Sequence, residues 1–356
     1  MQKDVVVIGA GPAGATVASG IAKAGFGVLV LEKEESPGKG KVCGGALSKD
    51  EFLQLQIQEQ IVEREVHKIV VHLGAERMEL PSKRGFVLFY RDKFDSALME
   101  TARKNGAELV TYSIATDVST GDYGAVIHYK HLSHEELKVS SKLVIFADGA
   151  NTLANKTLRI GFNKDKDLAM LAAVYEIKNK GELLESLDFF VSSEISPFGY
   201  GWVFPKRDSI NIGVACLLTK LKCNIKEHLD KLLASQNIQS DVITFGCRLI
   251  PQSIVEKIHC EAAMVVGDAA GTADPITGDG ISNAIANGKI ASEIAIQALE
   301  AKDLTAASLA EYDRRWQESE TYRRIVSKYK LQESALKIGI NPALSVVFGA
   351  FTGSMT

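Results

Sequence analysis

The stretch VVVIGAGPAGATVASGIAKAGFGVLVLEK, Val5 to Lys33, constrains this chain more than any other. Val5 to Ile8 is a β-branched apolar run suited to a buried parallel sheet, and Val28 to Leu31 is a second one. Between them stands Gly9-Ala-Gly11-Pro-Ala13-Gly14, a GxGxxG that follows a strand and opens a helix. Gly9 permits the tight turn, Gly11 lets the backbone approach a pyrophosphate, and Gly14 lets the helix lie close on the strand. The helix amino terminus then faces the phosphates with unpaired N–H groups and the positive end of its dipole. Glu32 ends the second strand, where a carboxylate accepts hydrogen bonds from ribose hydroxyls and disfavours a 2′-phosphate. Strand, helix, second strand and terminal acid together predict a dinucleotide-binding βαβ unit.

The charge balance excludes one class of partner. Lys plus Arg number 41 and Asp plus Glu 44, a net charge of -3, so the chain offers no general attraction to nucleic acid. Five cysteines (Cys43, Cys216, Cys223, Cys247 and Cys260) are scattered without a CxxC pair, which predicts reduced thiols and a cytoplasmic setting rather than disulfides or zinc. The seven histidines show no metal-ligand spacing, and His131 and His134 fall in an expected hairpin loop. The first strand begins within a few residues of Met1, which leaves no room for a signal peptide, and no apolar run reaches spanning length.

Along the chain, a polar glycine-rich loop over Glu34 to Lys41 leads into Val42-Cys43-Gly44-Gly45-Ala46-Leu47-Ser48. Asp50 to Glu65 reads as helix, and Lys68 to Leu73, Arg77 to Leu80 and Phe86 to Tyr90 as strands. Arg91 to Gly106 is an amphipathic helix with Phe94, Leu98 and Ala102 on one face. Glu108 to Tyr112 follows as a strand, then a hairpin of Ala125 to Lys130 with Glu136 to Val139. Lys142 to Phe146 is another buried strand that runs into Ala147-Asp148-Gly149. An acid at a parallel strand's carboxyl end suits ligand contact, and equally suits a turn.

Leu168 to Ile177, Leu187 to Val191, Gly201 to Phe204 and Ser209 to Ala215 predict an antiparallel sheet, with Ile225 to Ser235 as a helix on it. Ala262 to Val266 returns to parallel-sheet character and enters Gly267-Asp268-Ala269-Ala270-Gly271. Gly278, Gly280 and Ile281 then open a long helix, a second amino terminus able to face the same ligand. Ala306 to Lys337 reads as helical and charged, and Pro342 to Phe351 as a short apolar tail. The fold class is thus α/β, a Rossmann-type nucleotide domain with an inserted, mostly antiparallel substrate domain and a C-terminal helical segment. The expected division is 1–66 with 91–163 and 246–300 for the nucleotide unit, 67–90 with 164–245 for the substrate unit, and 301–356 for the tail.

The GAGPAG with Glu32, the ADGA at 147–150 and the GDAAG at 267–271 occur in the order found in FAD-dependent oxidoreductases related to aromatic hydroxylases. Lys41-Val-Cys43-Gly-Gly45, Arg91 with Asp95, and Tyr200-Gly-Trp202-Val-Phe204-Pro205-Lys206 further resemble the geranylgeranyl reductase family, which reduces isolated double bonds in prenyl chains. The resemblance runs to about residue 300. It implies FAD as cofactor, with Gly9, Gly11, Ala13 and Gly14 at the pyrophosphate and Glu32 and Lys33 at the adenosine end. Arg91, Asp148, Gly267 and Asp268 would lie along the ribityl and pyrophosphate region, Cys43 and Gly44 over the ring, and Gly278, Gly280 and Ile281 at the pyrimidine edge, where negative charge accumulates on reduction.

Cys43 reads either as a small core residue or as a thiol that orients the alkene or relays a proton. Tyr200 and Trp202 share a strand face and read either as core aromatics or as the wall of a prenyl tunnel and part of the catalytic site. Lys206 reads as a solvated charge. The implied partners are an isoprenoid lipid and an external donor, whether NAD(P)H, ferredoxin or a deazaflavin; only one dinucleotide fingerprint is present. Arg314, Arg315, Arg323 and Arg324 with Trp316 and Tyr322 suggest a docked helix, with peripheral contact to the inner membrane face as the alternative. The same fold group contains oxygen-using hydroxylases and halogenases, and the Tyr200 to Pro205 run is similar to the halogenase WxWxIP; a flavin-bearing electron carrier is a third reading.

Overall fold

A computed structural model describes residues 2–132, 135–181, 184–238 and 241–344. His134 and the tail beyond residue 344 lie outside them. Two sheets carry the fold. In the first, the strand order is His259–Cys260, Ala263–Val265, Glu136–Phe146, Gln2–Ile8, Val28–Leu31, Glu108–Val110, parallel except at its His259–Cys260 edge. Val5, Val6, Val7 and Val30 are wholly buried in a core shared with helix residues such as Val17, Ile21 and Phe94 and with Val118 and Ile127 of a β-hairpin. The hairpin Ile114–Gly121 and Gly124–Lys130 extends the first half of the Glu136–Phe146 strand.

Register decides where the site lies. Ile8 pairs with both Leu31 and Phe146, Val265 with Phe146, and Leu31 with Val110. The carboxyl ends therefore stop at one level, and Gly9, Glu32, Ala147 and Val266 all leave the sheet on the same edge.

The second sheet runs Val242–Pro251, Ala169–Lys178, Ser209–Leu217, Tyr200–Pro205, Leu187–Val191, Val62–Leu73, Glu76–Phe89, Ala46–Ser48. It is antiparallel apart from the pairing of Leu187–Val191 with Val62–Leu73. One face buries Ile210, Ile212 and Val214 against Leu229 and Leu232 of the helix Ile225–Ser235. The other carries Ala172, Val174, Trp202 and Phe204. Ala46–Ser48, Val62 to Val66 and Gly246 to Pro251, assigned from sequence to the nucleotide unit, belong to strands of this sheet.

Several elements differ from the sequence reading. The helix expected over Asp50 to Glu65 is only Lys49–Gln54, capped by Ser48; Gln56 takes a positive φ of 53, and the chain becomes strand from Val62 through pairing with Phe89. Pairing with that same strand carries Glu76–Phe89 unbroken through Pro81 and Gly85, where two strands were expected. Glu136 to Val139 and Lys142 to Phe146 are likewise one strand. Its first half pairs with the hairpin and its second with Gln2–Ile8. Ile114–Gly121 and Val242–Pro251 carried no clear sequence signal; the second leaves Val242, Ile243 and Phe245 exposed at a sheet edge. The Ala306 to Lys337 helix is broken at Ser319, whose extended backbone ends Ala306–Glu318 and whose side chain accepts the Tyr322 N–H to start Glu320–Lys337.

Candidate active site

The nucleotide cradle is built from the aligned strand ends. At Gly9, φ is +103 and a Cβ would lie 2.5 Å from the Ala147 carbonyl oxygen; at Gly14 it would lie 2.0 Å from that of Gly9. The turn is therefore closed to any side chain from below. Gly11 has no atom within 4 Å of its Cβ position, so its backbone is open on the ligand side. The helix Pro12–Lys23 begins there with no side-chain cap, which leaves its first N–H groups free to meet an anion. Glu32, buried at the end of Val28–Leu31, accepts the Ala10 N–H at 2.9 Å and the Glu34 N–H at 3.1 Å. Lys33 beside it is half-exposed on the same wall, 3.8 Å from Glu34.

Asp148 Oδ2 accepts the Leu153 N–H at 2.6 Å, while its buried Oδ1 has no partner. Burial pushes this carboxyl up to about 6, against the hydrogen bonds of Leu153 and Thr152. Opposite it, Gly267 (φ +66) and Asp268 form the turn after Ala263–Val265, and the helix Ile281–Ala301 starts behind Gly280, with Asp279 Oδ1 accepting the Ile281 N–H at 3.3 Å. Burial raises Asp268, opposed by the nearby charges of Lys41, Arg91 and Arg248.

The loop before Ile281 is held from outside. Asp274 Oδ1 accepts the Ile276 and Thr277 N–H groups at 2.9 Å each, and Lys328 Nζ reaches Asp274 Oδ2 at 2.6 Å. Gln332 donates to the Pro275 carbonyl at 2.7 Å. Helix Glu320–Lys337 thus sets the loop carrying Gly278 and Gly280, a role with no sequence signal because Lys328 and Gln332 lie about 50 residues along the chain from their partners.

Arg91 forms a bidentate pair with the fully buried Asp95, both bonds 2.8 Å, with the Cys43 thiol near its guanidinium. Burial works against its charge; Asp95 and Cys43 more than offset it, so the guanidinium stays charged. Lys41 has the opposite balance. Burial lowers it, and Arg248 and Arg91 lower it further.

A single cavity of about 2060 Å³ joins this cradle to the second sheet. Gly9, Glu32, Asp148 and Asp268 line one end, Ile69, Val71, Leu80, Leu187, Phe189 and Val191 the other, and Cys43, Gly44, Tyr200, Trp202 and Phe204 also border it. A drug-sized ligand needs roughly 300–1,000 Å³, so there is room for a dinucleotide and a long apolar chain together.

Tyr200, Trp202 and Phe204 stand on one face of their strand, while a Cβ at Gly201 would meet Leu232 on the other. Their ring centroids follow at 5.8 and 6.3 Å, and Phe189 packs on Tyr200 and Phe204. The Tyr200 hydroxyl donates to the Thr277 carbonyl, tying the aromatic wall to the loop before Ile281. Burial, with Asp274 and Asp279 nearby, pushes that hydroxyl far above its usual range. Two glycines shape the wall, Gly44 from the sequence reading and Gly213, which that reading passed over. A Cβ at Gly213 would lie 2.1 Å from the Trp202 ring, and one at Gly44 2.8 Å from Phe204. Gly213 was detectable as a glycine inside an apolar strand.

Lys206 corrects an expectation. It is not solvated but 2 % exposed, with Nζ 3.0 Å from Glu176 and 4.3 Å above the Tyr90 ring. The Arg314 to Arg324 stretch is largely paired: Arg314 with Glu311 and Glu318, Arg315 with Glu293, and Arg324 with Asn283. Among the described residues no cluster could hold a metal ion, the five cysteines are free, and no helix is long and apolar enough to cross a membrane.

A model of the geranylgeranyl reductase catalytic domain matches residues 169–248, and one of the Thi4 family matches 1–153. The digeranylgeranylglycerophospholipid reductase of Methanocaldococcus jannaschii is 32% identical over 341 residues, 93% of this chain and 86% of that one. This chain belongs to the geranylgeranyl reductase family. A protein of the same name from Methanosarcina acetivorans is 32% identical over 89% of this chain and 81% of its own. Among solved structures, a geranylgeranyl bacteriochlorophyll reductase-like protein from Thermoplasma acidophilum superposes with a TM-score of 0.83 at 27% identity, covering 93% of this chain and 87% of that one. The flavin-dependent brominase Bmp2, at 20% identity and a TM-score of 0.77 over 95% and 89% of the two chains, shares the fold.

The cofactor of this family of FAD-dependent oxidoreductases fits the cradle. The uncapped amino terminus of Pro12–Lys23, the open side of Gly11 and the unpartnered Asp148 Oδ1 are the features a bound dinucleotide would satisfy.

Proposed function

We propose that this geranylgeranyl reductase family member is an FAD-dependent reductase of carbon–carbon double bonds in an isoprenoid lipid. The observation that carries the reading is the continuity of one cavity from the dinucleotide cradle into an apolar chamber. FAD, once bound and reduced by the external donor, would supply the hydride. The chain's own residues bind, orient and exclude water. Gly9, Gly11, Ala13, Gly14, Glu32 and Lys33 receive the dinucleotide, with Asp148, Gly267, Asp268, Gly278, Gly280 and Ile281 on its other flank. Arg91, fixed by Asp95, keeps a positive charge beside Cys43. Tyr200, Trp202 and Phe204 hold the chain of the substrate by apolar contact, worth about 0.8 kcal/mol per buried methylene. The Cys43 thiol, on the cavity wall, orients the alkene or hands over a proton. The relatives named digeranylgeranylglycerophospholipid reductases support a phospholipid with prenyl chains as the substrate class.

The domain division remains part of this proposal, with the substrate unit widened to the strands Ala46–Ser48, Val62–Leu73 and Val242–Pro251. The donor is an external one, NAD(P)H, ferredoxin or a deazaflavin. For peripheral membrane contact, the ion pairs of Arg314 and Arg315 weigh against the basic helix. Leu331 is both exposed and part of the cavity wall, and the exposed Ile338 and Ile340 lie in the chain between it and Ala343, another wall residue; they support an approach from that side.

The test is an anaerobic incubation of chemically reduced, FAD-loaded protein with a geranylgeranyl phospholipid. Products heavier by about two mass units per step, a hydride plus a proton, support the reading. A requirement for oxygen, with an oxygen or halogen atom gained, assigns the chain to the other chemistry of its fold group.

A further inference from the structure

An ion pair sits on the cavity face of the second sheet, where apolar side chains would suffice for packing. Glu176 and Lys206 are 8 % and 2 % exposed, with Nζ 3.0 Å from Oε2. Asn211, 2 % exposed, donates from Nδ2 to Glu176 Oε2 at 2.8 Å and to the Cys43 carbonyl oxygen at 3.2 Å. Its Oδ1 accepts the Trp202 indole N–H at 2.8 Å. Both partners of Nδ2 are acceptors and the partner of Oδ1 is a donor, so chemistry allows one orientation of this amide. The second carboxylate oxygen of Glu176 accepts the Ser209 hydroxyl, which in turn bonds Tyr90 at 2.6 Å. Each polar atom is thus spoken for.

Burying such a pair gives little or no stability over apolar residues of the same volume, because desolvation offsets the attraction. What it does give is direction. Glu176, Asn211 and Phe204 are register neighbours across three strands, so the carboxylate holds the amide at a fixed place on the sheet. The amide bonds a backbone atom of the Cys43 turn with one end and the indole with the other.

We propose that Asn211, oriented by the Glu176–Lys206 pair, is a positioning residue that locks the Cys43-Gly44-Gly45 turn against Trp202. The thiol and the aromatic wall then keep one mutual geometry across the cavity. Asn211 acts through these two residues and has no part in the chemical step. Its use in turnover rests on the reductase reading above; the geometry itself does not.

The experiment uses FAD-loaded full-length Asn211→Leu, which keeps the branched heavy-atom skeleton in a larger side chain and removes three hydrogen bonds. Iodoacetamide labelling of Cys43 is followed by peptide mass spectrometry, with the exposed Cys247 as internal standard, alongside amide hydrogen exchange of the peptide holding residues 43–45. The Cys43 labelling rate relative to Cys247 should change by about fivefold, the scale of one released hydrogen bond, and exchange at 43–45 should quicken. Turnover should show kcat down by about tenfold with KM within about twofold, since a misplaced group is felt in the transition state. A folded, FAD-loaded variant with wild-type labelling, exchange and kcat overturns the proposal. If Asn211→Leu does not accumulate, Glu176→Gln, which keeps shape and releases the amide's charged anchor, is measured by the same labelling and exchange: faster exchange and altered labelling support the positioning role, and wild-type values overturn it. If the wild type reduces no prenyl lipid, the reductase reading fails while labelling and exchange still decide the positioning role.

Discussion

Gly213→Ala tests how tightly the aromatic wall is fitted. Gly213 lies opposite Trp202 in the sheet and has no positive φ, so the substitution brings no backbone strain. Its cost is steric. The new Cβ would stand 2.1 Å from Cζ2 and 2.3 Å from Cε2 of the indole, against an ordinary carbon contact of about 3.5–4.0 Å. The ring must retreat by about 1.5 Å to restore that distance. Retreat stretches the 2.8 Å bond from Nε1 to Asn211, worth about 1 kcal/mol. Overpacking in a filled core adds about 1–3 kcal/mol. Replacing glycine inside a strand returns about 0.5–1 kcal/mol. The net expectation is a loss of about 2 kcal/mol, read as a lower urea midpoint at unchanged slope. Trp202 and Trp316 are the two tryptophans, so a Trp316→Phe background isolates the emission of Trp202, which should shift as the ring loses its partner. An unchanged midpoint together with unchanged emission would refute the close fit of Gly213 to the indole.

Gly11→Val should fold yet purify without FAD, since the structure leaves room around its Cβ that only a ligand would fill; stoichiometric flavin absorbance in that variant would contradict the cradle. Cys43→Ala should lower kcat more than it raises KM on a prenyl lipid if the thiol acts in the transition state, and normal turnover would leave Cys43 as a core residue. For Asp148, burial raises the folded value to about 6 from 3.8. The folded chain therefore keeps a proton that the unfolded chain has released, and the stability it contributes falls as pH rises from about 4 to about 6 and is flat above that. Asp148→Asn should gain on the wild type across that window in FAD-free urea titrations, and a difference constant from pH 4 to 7 would show that Asp148 is not the titrating group.

The nucleotide half of the protein was legible in the sequence because its determinants are local. A β-branched run such as Val5 to Ile8 followed directly by a glycine turn favours a buried parallel strand, and Gly9, Gly11 and Gly14 act within one short stretch of chain, so the cradle was readable from local sequence. The same holds for the alternation that sets Tyr200 and Trp202 on one face. The helix expected over Asp50 to Glu65 and the two strands expected within Glu76–Phe89 were misread for a different reason. There the partner strand fixes the conformation, and pairing of Val62–Leu73 with Glu76–Phe89 overrides local breakers such as Pro81. What tertiary structure alone decided is the state of charges. Lys206 follows a proline in a polar run and looks solvated, yet the sheet brings Glu176 from 30 residues away and buries both. Lys328 reaches Asp274 in the same way across 54 residues. Local sequence sets which backbone a residue adopts; whether a charge is bare or paired depends on what the fold carries to it from elsewhere, and that depends on sheet register and helix docking, which no short window encodes.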